Sequence, residues 1–345
     1  MKKAAVVGIY GVGSDFTTGQ AVKCYEVINW LKKKYGKNDI DVVNTYKWNK
    51  TPLKLFVNLL NAFFRCNNVI IMPAQHGIKV FAPLIYYFNK VFQRKVHYVV
   101  IGGWLPEMLS EKPRMKKYIY SFDAVHVETK EMVSKLQNIG ISQIYHMPNF
   151  RILPIMPIKR TQQWIEPLPV CTYSRVVKEK GILDAIEIVK EANRQSKKNL
   201  FYLDIYGKID PEFKTEFEKS VSQNTNIINY CGVKNADDGP ATLSNYFALL
   251  FPTYYEGEGF AGTILDAFVS QTPMIVNDWK YNKEIIRHGE NGLIYPYRDI
   301  RVAAKYLYEL YVNNKLYEEI QYECKNEAKR YSTDSILEEF NKTLI

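Results

Sequence analysis

The chain has 345 residues, 47% of them hydrophobic, and no low-complexity stretch, which excludes a disordered polymer and points to two domains rather than one. Its formal net charge of +10 is uneven: residues 1–150 hold 21 Lys and Arg against 9 Asp and Glu, whereas residues 151–345 hold 25 against 27. No run reaches the roughly 18 apolar residues of a membrane-spanning helix. The five cysteines (Cys24, Cys66, Cys171, Cys231, Cys324) lack paired spacing, which fits reduced thiols in the cytoplasm better than a disulfide frame or a zinc site.

Met1–Lys3 and the apolar run behind them have the outline of a signal peptide. The run is too short, however, and Gly11-Val12-Gly13-Ser14 stands where cleavage would occur, so Ala4–Tyr10 is expected as a buried strand. Further strands are expected at Ile40–Tyr46, Val69–Met72, Val96–Ile101, Ala124–Val127 and Ile144–Met147. A helix over Gly19–Lys34 carries Ala21, Tyr25, Ile28 and Leu31 at helical spacing. Continuous apolar strands separated by helices indicate a parallel sheet covered on both faces. The prolines of 148–169 read as a linker. Alternation then resumes with strands Val170–Tyr173, Leu200–Tyr206, Asn226–Cys231, Ala248–Phe251 and Met274–Asn277, and helices Ile182–Arg194 and Gly262–Ser270. The expectation is two doubly wound α/β domains, 1–158 and 165–330, sharing a cleft. A helical tail over 331–345 would pack back on the first domain.

Two segments carry chemistry. Phe251-Pro-Thr-Tyr-Tyr-Glu-Gly-Glu258-Gly-Phe-Ala-Gly-Thr-Ile-Leu-Asp266 reads as a strand end, an acidic glycine-rich loop and a helix start. Free backbone N–H groups at such a start favour an anion, and the two carboxylates suit vicinal sugar hydroxyls. Tyr173-Ser-Arg175-Val-Val-Lys-Glu-Lys180-Gly181 places a guanidinium and an ammonium at a strand's carboxyl end, a pairing that suits a diphosphate. Alone, the first segment reads equally as an acidic loop with a helix cap, and the second reads more readily as a solvated basic turn. Gly11–Phe16 lacks the third glycine of a dinucleotide fingerprint, so NAD is disfavoured. Asp39-Ile-Asp41 reads as a turn, not a metal site.

Together with Leu203-Asp-Ile-Tyr-Gly207, Asn229-Tyr-Cys-Gly-Val233, Gln271-Thr-Pro-Met-Ile-Val276 and Glu284…Asn291-Gly292, these segments resemble family 4 of the retaining glycosyltransferases, which have the two-domain GT-B fold. The resemblance is strongest over 170–300. In the first half, Thr18-Gly19 stands where the family has a glycine pair, and Met147-Pro-Asn149 closes the domain.

The resemblance implies that Arg175 and Lys180 bind the donor diphosphate, that Glu258 touches the donor sugar, and that Asp266, where the family usually has Glu, holds the ribose. Gly259, Phe260, Ala261, Gly262 and Thr263 would complete the donor loop, and Gly207 and Val233 would line the base pocket. The family's first-domain histidine is missing from Val99-Val-Ile-Gly-Gly-Trp104. His76 is a candidate replacement or a merely structural imidazole, and Thr18, Gly19, Gly103 and Trp104 are candidates for the acceptor side.

The implied reaction is transfer of a hexose or N-acetylhexosamine, with a UDP-sugar favoured as donor and no metal or other cofactor. The acceptor would be a lipid-linked saccharide in surface polysaccharide synthesis. Two rival readings are a non-catalytic sugar- or partner-binding paralogue and a nucleotide-sugar epimerase or hydrolase, the latter marked by turnover without acceptor. No nucleic acid partner is expected. Leu53–Phe64 and Lys79–Lys95 combine apolar-aromatic residues with Lys and Arg. They read either as core helices or as helices lying on the anionic inner face of the plasma membrane.

Overall fold

The computed structural model describes residues 1–11, 18–151 and 164–344, so most of the Gly11–Phe16 stretch and the linker residues 152–163 lie outside it. Two compact units are formed. One comprises residues 1–152, 259–261 and 331–345, the other 153–258 and 262–330.

The first unit is a six-stranded parallel sheet built from β1 (Lys2–Gly8), β2 (Ile40–Asn44), β3 (Cys66–Ile71), β4 (Lys95–Val99), β5 (Ala124–Val127) and β6 (Ile144–His146). The strand order is β2-β1-β3-β4-β5-β6. Helices α1 (Gly19–Tyr35), α2 (Pro52–Arg65), α3 (Gln75–Phe92), α4 (Leu105–Glu111), α5 (Pro113–Tyr120) and α6 (Lys130–Asn138) connect the strands. The side chains of β3 from Asn68 onward and all four of β5 are buried, as expected where both faces are covered. Further along the chain, α14 (Thr333–Asn341) also belongs to this unit. Its Leu337 and Phe340 join Val27, Ile28 and Leu31 of α1 in one apolar cluster. Trp30 Nε1 donates to Asp334 at 3.1 Å.

The second unit repeats the plan with β7 (Leu168–Tyr173), β8 (Phe201–Tyr206), β9 (Ile228–Tyr230), β10 (Ala248–Phe251), β11 (Met274–Asn277) and β12 (Leu293–Tyr295). All strands run parallel in the order β12-β11-β10-β7-β8-β9. Its helices are α7 (Ile182–Ser196), α8 (Lys214–Ser222), α9 (Gly239–Leu243), α10 (Gly262–Ser270), α11 (Asn282–Ile285), α12 (Ile300–Val312) and α13 (Asn314–Arg330). Sequence patterning omits β12, because three residues between Gly292 and Pro296 are too few to show a period.

Each half is therefore a doubly wound, Rossmann-like α/β fold. In the second unit the chain leaves β7 outward to β8 and β9, then crosses back to β10. Connections after β7 and β10 thus diverge at their carboxyl ends and leave a crevice between them, the usual ligand position in open sheets. In the first unit the corresponding point lies between β1 and β3.

Candidate active site

The second-unit crevice collects the charged residues singled out in the sequence. After β7 the chain passes Ser174 and Arg175, makes a 3-10 turn over Lys178–Lys180, and enters α7 through Gly181 at φ 69°. A Cβ at Gly181 would lie 2.2 Å from the Pro252 carbonyl oxygen, so the loops after β7 and β10 can meet here only through glycine. Tyr254 N donates to Glu179 O at 2.7 Å and ties the same loops together.

Lys180 Nζ is 2.5 Å from Glu258 Oε2, and the Thr253 hydroxyl donates to the same oxygen at 2.8 Å. The Tyr255 ring faces two cations, the Arg175 guanidinium at 5.4 Å and Lys180 Nζ at 5.2 Å from its centroid. Tyr255 is itself held by Trp279 Nε1, which donates to its carbonyl at 2.9 Å. Arg175 is exposed and Lys180 half-buried. A cation stacked on a ring keeps its outward N–H donors for an anion.

Thr263, in the first turn of α10, donates its hydroxyl to Tyr173 O at 2.7 Å, which sets the helix start against the end of β7. Asp266, on α10 eight residues after Glu258, is only 2% exposed. Its Oδ2 lies 2.6 Å from where a Cβ on Gly239 would be, so Gly239 makes room for the carboxylate.

Gly207 follows β8 at φ 139°, and a Cβ there would overlap Ser174 O at 1.7 Å. Val233 is exposed. The sequence neighbours of these two, Tyr206 and Lys234, line a cavity of about 430 Å³ with Asp238, Thr242 and Tyr246. Tyr246 donates to Asp204 Oδ2 at 2.7 Å, and burial first, then Tyr206 and Asp204, push its phenol well above the ordinary tyrosine range.

In the first unit, Thr18 caps α1 by accepting from Ala21 N at 3.3 Å, and Gly19 opens that helix. His76 is exposed in the first turn of α3, the helix that follows β3. Trp104 is 6% exposed, with its indole donating to Ile101 O at 2.8 Å, and Gly103 precedes it. The same unit contains a buried ion pair, Lys23 Nζ to Glu128 Oε1 at 2.9 Å. The other oxygen of Glu128 accepts from Phe260 N at 3.0 Å and Gly102 N at 3.3 Å, and Asn149 Nδ2 donates to Phe260 O at 3.0 Å.

Sequence reasoning missed Thr253, Tyr255, Gly239, Lys23 and Glu128. The first two stand inside the loop already singled out, where hydroxyl and aromatic types could have marked them. Lys23 on α1 and Glu128 after β5 give no local signal. Other matched motifs are structural: buried Asn291 accepts from Arg287 N at 2.8 Å and donates to Ile285 O at 3.1 Å, fixing the turn before β12. Gln271 adopts φ 58° after α10. Asp41 pairs with Lys2 at 2.5 Å. Among the described residues, no group of three or more His, Cys, Asp or Glu side chains could hold a metal ion.

Residues 160–327 match the family described as "Glycosyl transferases group 1". A comparison with curated protein sequences gives no match. Among solved structures, Anabaena HepE in complex with UDP is 15% identical, with a TM-score of 0.75 over 100% of this chain and 99% of that one. Sucrose-phosphate synthase from Thermosynechococcus elongatus is 14% identical, with a TM-score of 0.76 over 99% and 98%. The pneumococcal O-GlcNAc transferase GtfA in complex with UDP and GlcNAc is 20% identical, with a TM-score of 0.63; 80% of this chain spans 56% of that one. These likenesses show a shared fold. The group 1 match covers 168 of the 345 residues, just under half of the chain.

Proposed function

We propose that the protein is a retaining glycosyltransferase of family 4 that moves a hexose or N-acetylhexosamine from a UDP-sugar to a saccharide acceptor. The observation that carries this reading is the grouping of Arg175, Lys180 and Glu258 around Tyr255 in the crevice between β7 and β10. Arg175 and Lys180 take the diphosphate and neutralise charge that builds on the departing phosphate oxygen. Preorganised cations of this kind act most strongly where charge develops. As the diphosphate engages Lys180, Glu258 is released toward the donor sugar's hydroxyls. Asp266 holds the ribose, and the cavity beside Gly207 and Val233 takes the base. UDP is favoured because it is the nucleotide in the HepE and GtfA complexes.

Attack by the acceptor from the leaving-group face accounts for retention with no covalent nucleophile, and neither metal nor cofactor is required. The acceptor is a lipid-linked saccharide for a surface polysaccharide, met at the cytoplasmic face of the plasma membrane. The test is calorimetric binding of UDP-, GDP- and dTDP-sugars, followed by turnover with and without saccharide acceptors. Arg175→Ala should slow turnover by about a hundredfold, the loss of roughly 3 kcal/mol of transition-state stabilisation. Rates unchanged in Arg175→Ala, or equal turnover without any acceptor, would overturn the reading.

A further inference from the structure

Surface helices ordinarily have one apolar stripe, turned inward. Helix α2 has two. Leu55, Leu59, Ala62 and Phe63 are buried, while Leu53, Phe56, Val57, Leu60 and Phe64 are exposed and recur every three or four residues along another face. Helix α3 repeats this pattern, with Ile78, Phe81, Ala82 and Ile85 buried and Val80, Tyr87 and Val91 exposed. Leu53, Phe64 and Val91 keep 76%, 70% and 76% of their surface in solvent. Phe56 and the partly buried Phe88 meet edge to face at 5.2 Å, so α3 packs beside the exposed stripe of α2. Eight of the 18 exposed large hydrophobic residues among the described residues lie on these two helices. Such clustering marks a contact surface rather than scattered exposure.

Its charge is one-sided. From Val42 to Pro106 the sequence contains no Asp or Glu, but eight basic residues. Lys47, Lys50, Lys54, Arg65 and Lys90 are exposed on or beside α2 and α3. Lys79 stands so near Lys112 that the second ammonium holds its pKa below the usual lysine value. A second copy of the chain would bring the same basic face against this one. A bilayer with anionic headgroups offers both the apolar depth for the stripes and the opposite charge for the rim.

We propose that the exposed faces of α2 and α3 form a membrane-docking surface that inserts Leu53, Phe56, Leu60, Phe64 and Val91 among the headgroups of an anionic bilayer. The surface belongs to the first unit alone and stands whether or not sugar is transferred. The reason for an enzyme to dock there rests on the lipid-linked acceptor proposed above.

The test is co-sedimentation of the full chain with vesicles of mixed phosphatidylglycerol and phosphatidylcholine, and of phosphatidylcholine alone. Binding is expected only to the anionic vesicles, and about 0.5 M salt should release it, since screening then acts within a few ångströms. The triple variant Leu53→Glu, Phe64→Glu, Val91→Glu alters only exposed positions and should lower the bound fraction about tenfold or more, while keeping the wild-type circular dichroism spectrum. Equal sedimentation with both vesicle types, or wild-type binding by a folded triple variant, would overturn the proposal. So would a wild-type dimer in ultracentrifugation that the triple variant dissolves, if neither protein binds vesicles. UDP-sugar binding measured on the same samples separates the two claims. Donor binding without vesicle binding sinks the docking surface alone, and vesicle binding without donor binding sinks only the transferase site.

Discussion

Lys180 Nζ and Glu258 Oε2 lie 2.5 Å apart, with side chains 11% and 9% exposed, and join the loops that diverge from β7 and β10. The cation proposed for the diphosphate and the carboxylate proposed for the sugar therefore neutralise each other. This contact ties the two loops together across the crevice, and under the proposed reading the pair would exchange partners on binding a diphosphate.

Removing one partner should expose that dependence. Lys180→Ala leaves Glu258 nearly buried with only the Thr253 hydroxyl, and should cost about 3 kcal/mol of stability in urea unfolding. Adding Glu258→Gln removes the stranded charge. The double variant is therefore expected to be more stable than the sum of the single losses by about 1–3 kcal/mol. Strict additivity would mean that the contact contributes no coupling.

The two acids should differ in what they lose. Glu258→Gln is expected to reduce turnover more than donor affinity, since its proposed contact is at the reacting sugar. Asp266→Asn is expected to weaken donor binding and leave the rate at saturation near normal, because ribose contacts are alike in ground and transition states. Calorimetry with a UDP-sugar checks this. Unchanged affinity in Asp266→Asn would remove the ribose role and leave Asp266 as a buried structural acid beside Gly239.

Glycine is required at position 207 by space as well as by φ. Gly207→Ala would put Cβ 1.7 Å from Ser174 O, so the backbone between β7 and Arg175 must move. Donor binding should fall about a hundredfold if the proposed diphosphate site depends on that backbone. Gly232→Ala is the control: φ is 78°, but nothing lies within 4 Å, and only the left-handed strain of about 1–2 kcal/mol should appear in stability. Equal effects of the two substitutions on donor affinity would contradict the steric account.

Acid should destabilise the first unit through two buried histidines. His97 and His126 stack at 6.0 Å, and Phe340 of α14 packs edge to face on both. Burial holds His97 down at about 4, with Asp123 opposing and Lys95 assisting. Burial, then His97 and Lys23, hold His126 well below the usual value. His97 Nε2 contacts Asn68 Oδ1 at 3.2 Å, which suits the neutral tautomer protonated there. The unfolded chain binds these protons near pH 6.5 and the folded one does not, so stability is full above that pH and is lost as pH falls toward 4. His97 alone accounts for up to about 3 kcal/mol across that window. Urea midpoints at pH 7 and pH 5 read the effect, and His126→Gln should flatten the slope. A midpoint independent of pH over this range would refute it.

The sequence by itself determined the doubly wound architecture, because buried parallel strands need long apolar runs and their connecting helices need a 3.6-residue period. Eleven of the twelve strands are legible this way. It also placed Arg175, Lys180, Glu258 and Asp266 at strand ends and a helix start, since glycine must stand where loops approach closely. It left α2 and α3 undecided between core and surface, because apolar side chains spaced along a helix do not state which face is covered. Tertiary structure decided that. It also decided that Lys180 meets Glu258, 78 residues later, that Tyr255 faces both cations, and that Glu128 holds Lys23 and the Phe260 amide. These partners lie far apart along the chain or on loops without periodicity. Only the strand order, which sets β7 beside β10, brings the first pair together, and no local pattern encodes that order.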